Sequence, residues 1–201
     1  MSDGLCHQAK ILTEPQQRAV LNHVSLSRHA ARDRVIVLLS MKAGFRACEI
    51  AALTWSMVTN ADGILSDEIR LENTASKGKR GGRIIPMHPE VLAALLALHG
   101  ELWPSPRLRP ERPVIYSERA KGYTPATIAQ WFHRLYATLG MKGASSHSGR
   151  RTFATRAARK IVEAGGSLRD VQALMGHASI QTTQRYVDEC EDAKRRVVAM
   201  I

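Results

Sequence analysis

The hydrophobic positions of this chain recur mainly at helical spacing, with one short stretch that alternates instead. Thr13-Glu-Pro-Gln combines an N-cap hydroxyl, an early proline and a glutamine at the capping-box position, so a helix is expected through Val20, Leu21 and Val24. A second helix, over about residues 29–42, carries Ala30, Val35, Ile36, Leu38, Leu39 and Met41, with Gly44 as its stop. It is apolar enough to be the central helix. Arg46 then stands where another helix begins, right after the glycine turn. Between residues 63 and 88 the period changes. Ile69 and Leu71 alternate with polar residues, and Arg83-Ile-Ile-Pro86 reads as a second strand. Pro89 starts a helix through Val91, Leu92, Leu95, Leu96 and Leu98, expected to be core packing. A proline-rich connection follows, with a short apolar piece at residues 114–116. Thr124-Pro125 caps a helix that turns Ile128, Trp131, Phe132, Leu135 and Leu139 inward and ends at Gly140. A further helix is expected over residues 146–163, and a short one from Ser167 through Val171, Leu174 and Met175 to Gly176. Thr182 or Thr183 would cap the helix carrying Tyr186. The pattern describes an α+β domain that is mostly α-helical with a small antiparallel β-sheet. Residues 1–12 form a polar arm, residues 13–190 the domain, and residues 191–201 a tail with an apolar end.

Composition narrows the class of partner. The 201 residues suffice for one domain with a sizeable core, and the balance of 44% hydrophobic and 23% charged residues is that of a globular chain. Lysine and arginine outnumber aspartate and glutamate by 29 to 18, a net charge of +11. Such an excess favours a polyanion, because each neutralised phosphate releases condensed counterions. Nucleic acid is therefore expected ahead of an anionic membrane surface. The longest apolar runs, around residues 35–41 and 91–98, are too short to span a bilayer. Cys6, Cys48 and Cys190 are scattered and odd in number, which argues for reduced thiols and a cytoplasmic setting, and no secretory signal is visible.

The candidate chemistry concentrates between residues 147 and 186, which open on His147-Ser-Gly-Arg150-Arg151 and close on Leu174-Met-Gly-His177 and Thr182-Thr-Gln-Arg-Tyr186. Two histidines, an arginine and a tyrosine at helix edges in a basic chain fit chemistry on a phosphate. Upstream, Arg46 can grip an anion with its forked donors, or pair with Glu49 on the same helix face. The glycine-rich cationic turn over residues 76–83 lacks the closing Gly-Lys-[Ser/Thr] of a P-loop, so no nucleotide cofactor is expected. There is no His-Glu-x-x-His and no acidic cluster with magnesium-site spacing, so metal catalysis is poorly supported. Taken singly, each of these residues has an ordinary reading as a cap, a surface ion pair or a packed ring. Their joint occurrence in one order changes the odds.

That order resembles the catalytic domain of the tyrosine recombinase (phage integrase) family. The resemblance rests on Gly44, Arg46, Glu49 and Ile50 in a Gly-x-Arg-x-x-Glu box, on His147-x-x-Arg150, on Gly176-His177 and on Thr182-Thr183-x-x-Tyr186. Phe45 and Cys48 depart from the commonest residues of the first box, and Gly149 and Arg151 replace a leucine and a histidine in the second. Gly149 costs helix stability near Arg150, and the chemistry assigns Arg151 no role.

The resemblance implies site-specific DNA cleavage and rejoining through a 3′-phosphotyrosine. Tyr186 would be the nucleophile, Arg46 and Arg150 would clamp the transition state, and His147 and His177 would assist at the phosphate. A hairpin lysine, Lys77 with Lys79 as its competitor, would protonate the leaving oxygen. It further implies double-stranded DNA as partner, a tetramer on two sites, and a tail exchanged between protomers at residues 197–201. Family members precede this domain with a DNA-clamping helical domain. The chain is expected to be either a short form like the small fimbrial invertases or a fragment. Rival readings are relaxation in the manner of a type IB topoisomerase, and a DNA-binding regulator with a decayed site.

Overall fold

The computed structural model describes residues 9–75, 82–118, 122–186 and 198. Helix α1 (Glu14–Ser25) begins as its sequence predicts. The Gln16 amide donates to the Thr13 hydroxyl, and the Gln16 side-chain oxygen accepts the Thr13 N–H at 2.9 Å. Helix α2 (Ala30–Lys42) is buried without interruption from residue 35 to 41, and α1, α4 (Pro89–Leu102) and α6 (Ser148–Lys160) all pack on it. A helix apolar on every side is stable only when neighbours cover it all round. At about 1.5–3 kcal/mol for each fully buried aliphatic side chain, α2 anchors the main core.

The chain reverses at Gly44, whose φ of +67° lies in the left-handed region, and enters the short helix α3 (Ala47–Ala52), which packs on α5 (Pro125–Thr138). The sheet is a two-stranded antiparallel hairpin, β1 (Glu68–Leu71) against β2 (Arg83–Pro86), with Leu71 opposite Arg83. Ile69, Leu71 and Ile85 face the core while Ile84 stands exposed, the alternation expected of a half-covered sheet. Helices α7 (Leu168–Met175) and α8 (Ile180–Gln184) follow. With α6 they enclose a second, smaller core of Ala154, Val171 and Met175, against which Tyr186 packs.

Several expectations are corrected. The helix after His147 ends at Lys160, not 163. Leu96 is exposed rather than core, on the side of α4 away from the buried Val91, Leu95 and Leu98. Neither Thr182 nor Thr183 caps α8: the Ser179 hydroxyl does so, accepting the Gln181 N–H. Tyr186 lies one residue beyond the C-cap Arg185 rather than inside the helix. Lys77, Lys79 and most of the tail lie outside the described residues.

Candidate functional site

Glu49 is the centre from which the site is built. It is fully buried, at the third position of α3, where a carboxylate can reach back to the helix start. Its Oε2 accepts the Arg46 backbone N–H at 2.8 Å, and its Oε1 accepts the Arg46 Nη1 at 2.8 Å. Arg83, from β2, donates two parallel bonds to the same carboxylate at 2.8 and 3.0 Å. The Nη1 of Arg150 lies 3.7 Å from Oε2. One negative charge thus faces three guanidiniums. Burial by itself would raise the Glu49 pKa, but the bonds and charges of Arg83, Arg46 and Arg150 outweigh it and hold the carboxyl lowered.

Arg150 is held by backbone carbonyls from both sides of the site. Its Nη1 donates to the Gly44 carbonyl in the turn before α3, and its Nη2 to the Met175 carbonyl at the end of α7, 2.6 Å away. Helix α6 delivers Arg150 so deeply because Gly149 lets it approach α2. A Cβ at 149 would stand 2.3 Å from the Ser40 hydroxyl and 3.1 Å from Met41. The glycine expected to weaken the helix therefore permits the packing that buries Arg150. Burial, reinforced by Arg46 and Arg83, lowers the Arg150 pKa to about 9. The share of negative charge left to Arg150 is small, because Glu49 also serves Arg46 and Arg83.

His177 follows the left-handed Gly176 that terminates α7 (φ +58°). Its carbonyl accepts from Gln172 Nε2 at 3.0 Å, and its Nδ1 lies 2.9 Å from the Thr183 hydroxyl. Burial, with Arg150, Arg46 and Arg83 nearby, pushes its pKa down to about 4, so the ring is neutral at pH 7. The Tyr186 ring stacks on it, centroids 5.9 Å apart and planes 11° from parallel. His147 is exposed at the N-terminal edge of α6, its backbone N–H donating to the Ser145 hydroxyl at 3.3 Å.

Arg46, His147, Arg150, His177 and Tyr186 all line one cavity of about 400 Å³, together with Ser145, Arg151, Thr182 and Arg185. Five of the six residues singled out in the sequence are thus brought together. The sixth, Lys77, lies outside the described residues, as does Lys79. Arg46 pairs with Glu49, as one of its two readings has it, and it also lines the cavity. Arg151 gains a contact: its Nη1 donates to the Ala9 carbonyl at 2.8 Å, beside the cavity. Sequence reasoning gave Arg83 no place in the site, and it named Thr183 as a signature residue and possible cap but not as the partner of His177. Only the capping-box spacing of Glu49 hinted at a hub, and nothing local pointed to Arg83.

The model of the phage integrase family matches residues 10–192. The chain belongs to the phage integrase family. Among relatives in the family, the tyrosine recombinase XerC of Rhizobium meliloti (strain 1021) is 34% identical over 160 residues, which cover 78% of this chain and 45% of that protein. XerC of Mesorhizobium japonicum (strain LMG 29417 / CECT 9101 / MAFF 303099) is 32% identical over 158 residues, 78% of this chain and 46% of that protein. The chain thus spans about half the length of these relatives. The integrase fold is shared with the Tn1549 transposon integrase solved with a circular intermediate DNA, at a TM-score of 0.76 and 21% identity, covering 100% of this chain and 68% of that one. XerA recombinase gives a TM-score of 0.67 at 23% identity, covering 94% and 64%. Among the described residues of this integrase-family chain, no helix is long and apolar enough to cross a membrane.

Proposed function

We propose that this chain cleaves and rejoins double-stranded DNA at specific sites, as a tyrosine recombinase. One observation carries the reading: three guanidiniums share a single carboxylate beside a cavity onto which a tyrosine, stacked on a neutral histidine, also opens. The surplus positive charge suits a phosphodiester. Arg46 and Arg150 hold its non-bridging oxygens through forked donors, and their charge stabilises the pentacoordinate transition state.

The Tyr186 oxygen attacks phosphorus, the bond to the 5′ oxygen breaks, and a 3′-phosphotyrosine forms with the bond energy kept for rejoining. His147 takes up the phenolic proton. The 5′ oxygen leaves with a proton from Lys77, or from its competitor Lys79. In the His177 tautomer whose Nδ1 accepts from the Thr183 hydroxyl, Nε2–H is left to donate to a non-bridging oxygen. Rejoining is the same path in reverse, with a 5′ hydroxyl of either duplex as attacker.

The DNA complex of the Tn1549 integrase and that of XerH recombinase with its difH substrate support duplex DNA as the partner. The reading extends to four protomers on two sites, joined by a tail exchanged at residues 197–201. A chain truncated before Val197 that still exchanges strands normally overturns that part. The test of the whole reading is covalent capture from a pool of short nicked duplexes of randomised sequence, followed by strand exchange between two captured sequences. Exchange is the expected result. Relaxation of one duplex without exchange points to topoisomerase-like action, and binding with no covalent product points to a regulator.

A further inference from the structure

Arg83 is not among the residues that line the cavity, yet all three of its guanidinium nitrogens are bonded beside it. Its Nη1 and Nη2 grip both oxygens of Glu49, and its Nε donates to the Leu174 carbonyl at 3.0 Å. The guanidinium lies over the Phe45 ring, 5.7 Å from its centroid, and its side chain is 9% exposed. The glycine at 176 leaves it room, since a Cβ there would stand 2.9 Å from Arg83 Nη1. One side chain on β2 therefore holds two separate parts of the site. Glu49 fixes Arg46 and stands by Arg150. Leu174 lies on the last turn of α7, whose next carbonyl, that of Met175, accepts from Arg150 and whose following turn carries His177.

We propose that Arg83 is a positioning residue for strand cleavage: it locks the hairpin, the Glu49–arginine cluster and the α7 end into one unit, so that the phosphate clamp and His177 keep their mutual placement. A planar fork with a third donor is required for this, because two acceptors on Glu49 and one on Leu174 must be met at once. Lysine supplies the charge, but its donors radiate from a single nitrogen and cannot reproduce the spread of the fork across both elements. Arg83 has no place on the cavity wall, so its loss acts on the geometry of the reacting groups and leaves DNA contacts in place.

The inference rests on the recombinase reading above, and its test separates the two. Wild type, Arg83→Lys and Arg83→Gln are compared on a nicked duplex captured covalently by the wild type. The rate of single-turnover adduct formation is set against the Kd for the same duplex, and the His177 ring is titrated by NMR without DNA. Because misplacement by about 1 Å costs up to about 100-fold, Arg83→Gln should cleave about 10- to 100-fold more slowly. Its Kd should stay within about twofold of wild type, as a residue that makes no phosphate contact requires. Arg83→Lys should be intermediate, and the His177 midpoint should rise in Arg83→Gln as a neighbouring cation is lost. Either variant cleaving at the wild-type rate overturns the proposal. So does a fall in cleavage matched by an equal fall in binding, which would make Arg83 a general structural residue. Should Arg83→Gln not fold, Arg83→Lys decides by the same criteria. A wild type that never forms an adduct overturns the recombinase reading itself, and the inference with it.

Discussion

Replacing Glu49 probes the cluster in the free protein, without any DNA. In wild type the carboxylate accepts four hydrogen bonds from Arg46 and Arg83, and it has Arg150 at 3.7 Å. Glu49→Ala removes the carboxylate that three guanidiniums share, two of which belong to side chains that are 9% and 5% exposed. Leaving buried charge unpaired costs about 3–5 kcal/mol. For a domain of this size that corresponds to a fall in Tm of roughly 10 °C or more. Glu49→Gln keeps the shape and one acceptor, and isolates the charge; its expected loss is about 1.5–3 kcal/mol, the range for hydrogen bonds to charged groups.

The pH dependence gives the sign. Burial would raise the Glu49 pKa, but the arginines hold it lowered in the folded state. Its contribution is therefore fully present above the ordinary carboxyl pKa and is lost as pH falls through the folded value. The stability gap between wild type and Glu49→Gln should narrow as the solution is acidified. Urea unfolding followed by circular dichroism at several pH values measures both quantities. A loss below about 1 kcal/mol for Glu49→Ala at neutral pH would refute the account of the cluster as a buried, charge-paired hub.

Three further predictions follow from the same geometry. His177 should titrate near pH 4 by NMR. Because its folded pKa lies below the unfolded value of about 6.5, it contributes stability that is present above that pH and is lost as pH falls towards 4. A midpoint near 6.5 would contradict the burial described. Gly149→Ala should destabilise the fold by about 1–3 kcal/mol, since the new methyl meets the Ser40 hydroxyl between packed helices; an unchanged Tm would show that α2 and α6 are not so close. With a net charge of +11, DNA affinity should fall steeply with salt, by about 0.9 logarithmic units per unit of log salt for each phosphate neutralised. A Kd that hardly changes with salt would contradict a phosphate-centred interface.

What was legible in the sequence was mostly local. The Thr13 and Ser167 capping boxes and the glycine turns at 44 and 176 each rest on residues a few positions apart, and they form as read. Central α2 was legible because an unbroken apolar run leaves no face for solvent. The long-range partnerships were not. Arg83 reads as one more cation at the end of a basic, glycine-rich turn, yet its partners lie 34 and 91 positions away. Thr183 has the chemistry of a helix cap, as does its neighbour Thr182, and the sequence offers either for that place. Thr183 is fully buried against His177, while the humbler Ser179 does the capping. Gly149 shows the limit of propensity: its helix cost is visible in the sequence, but the Ser40 contact that requires it comes from another helix.

The central claim is that Tyr186 becomes covalently joined to DNA. Its most direct measurement is peptide mass spectrometry of the adduct formed on a nicked duplex, run beside Tyr186→Phe. The account predicts a nucleotide-bearing peptide containing Tyr186 in wild type and no adduct in the variant, with the two proteins equally folded and binding the duplex alike. An adduct on another residue, or one that survives Tyr186→Phe, would contradict it.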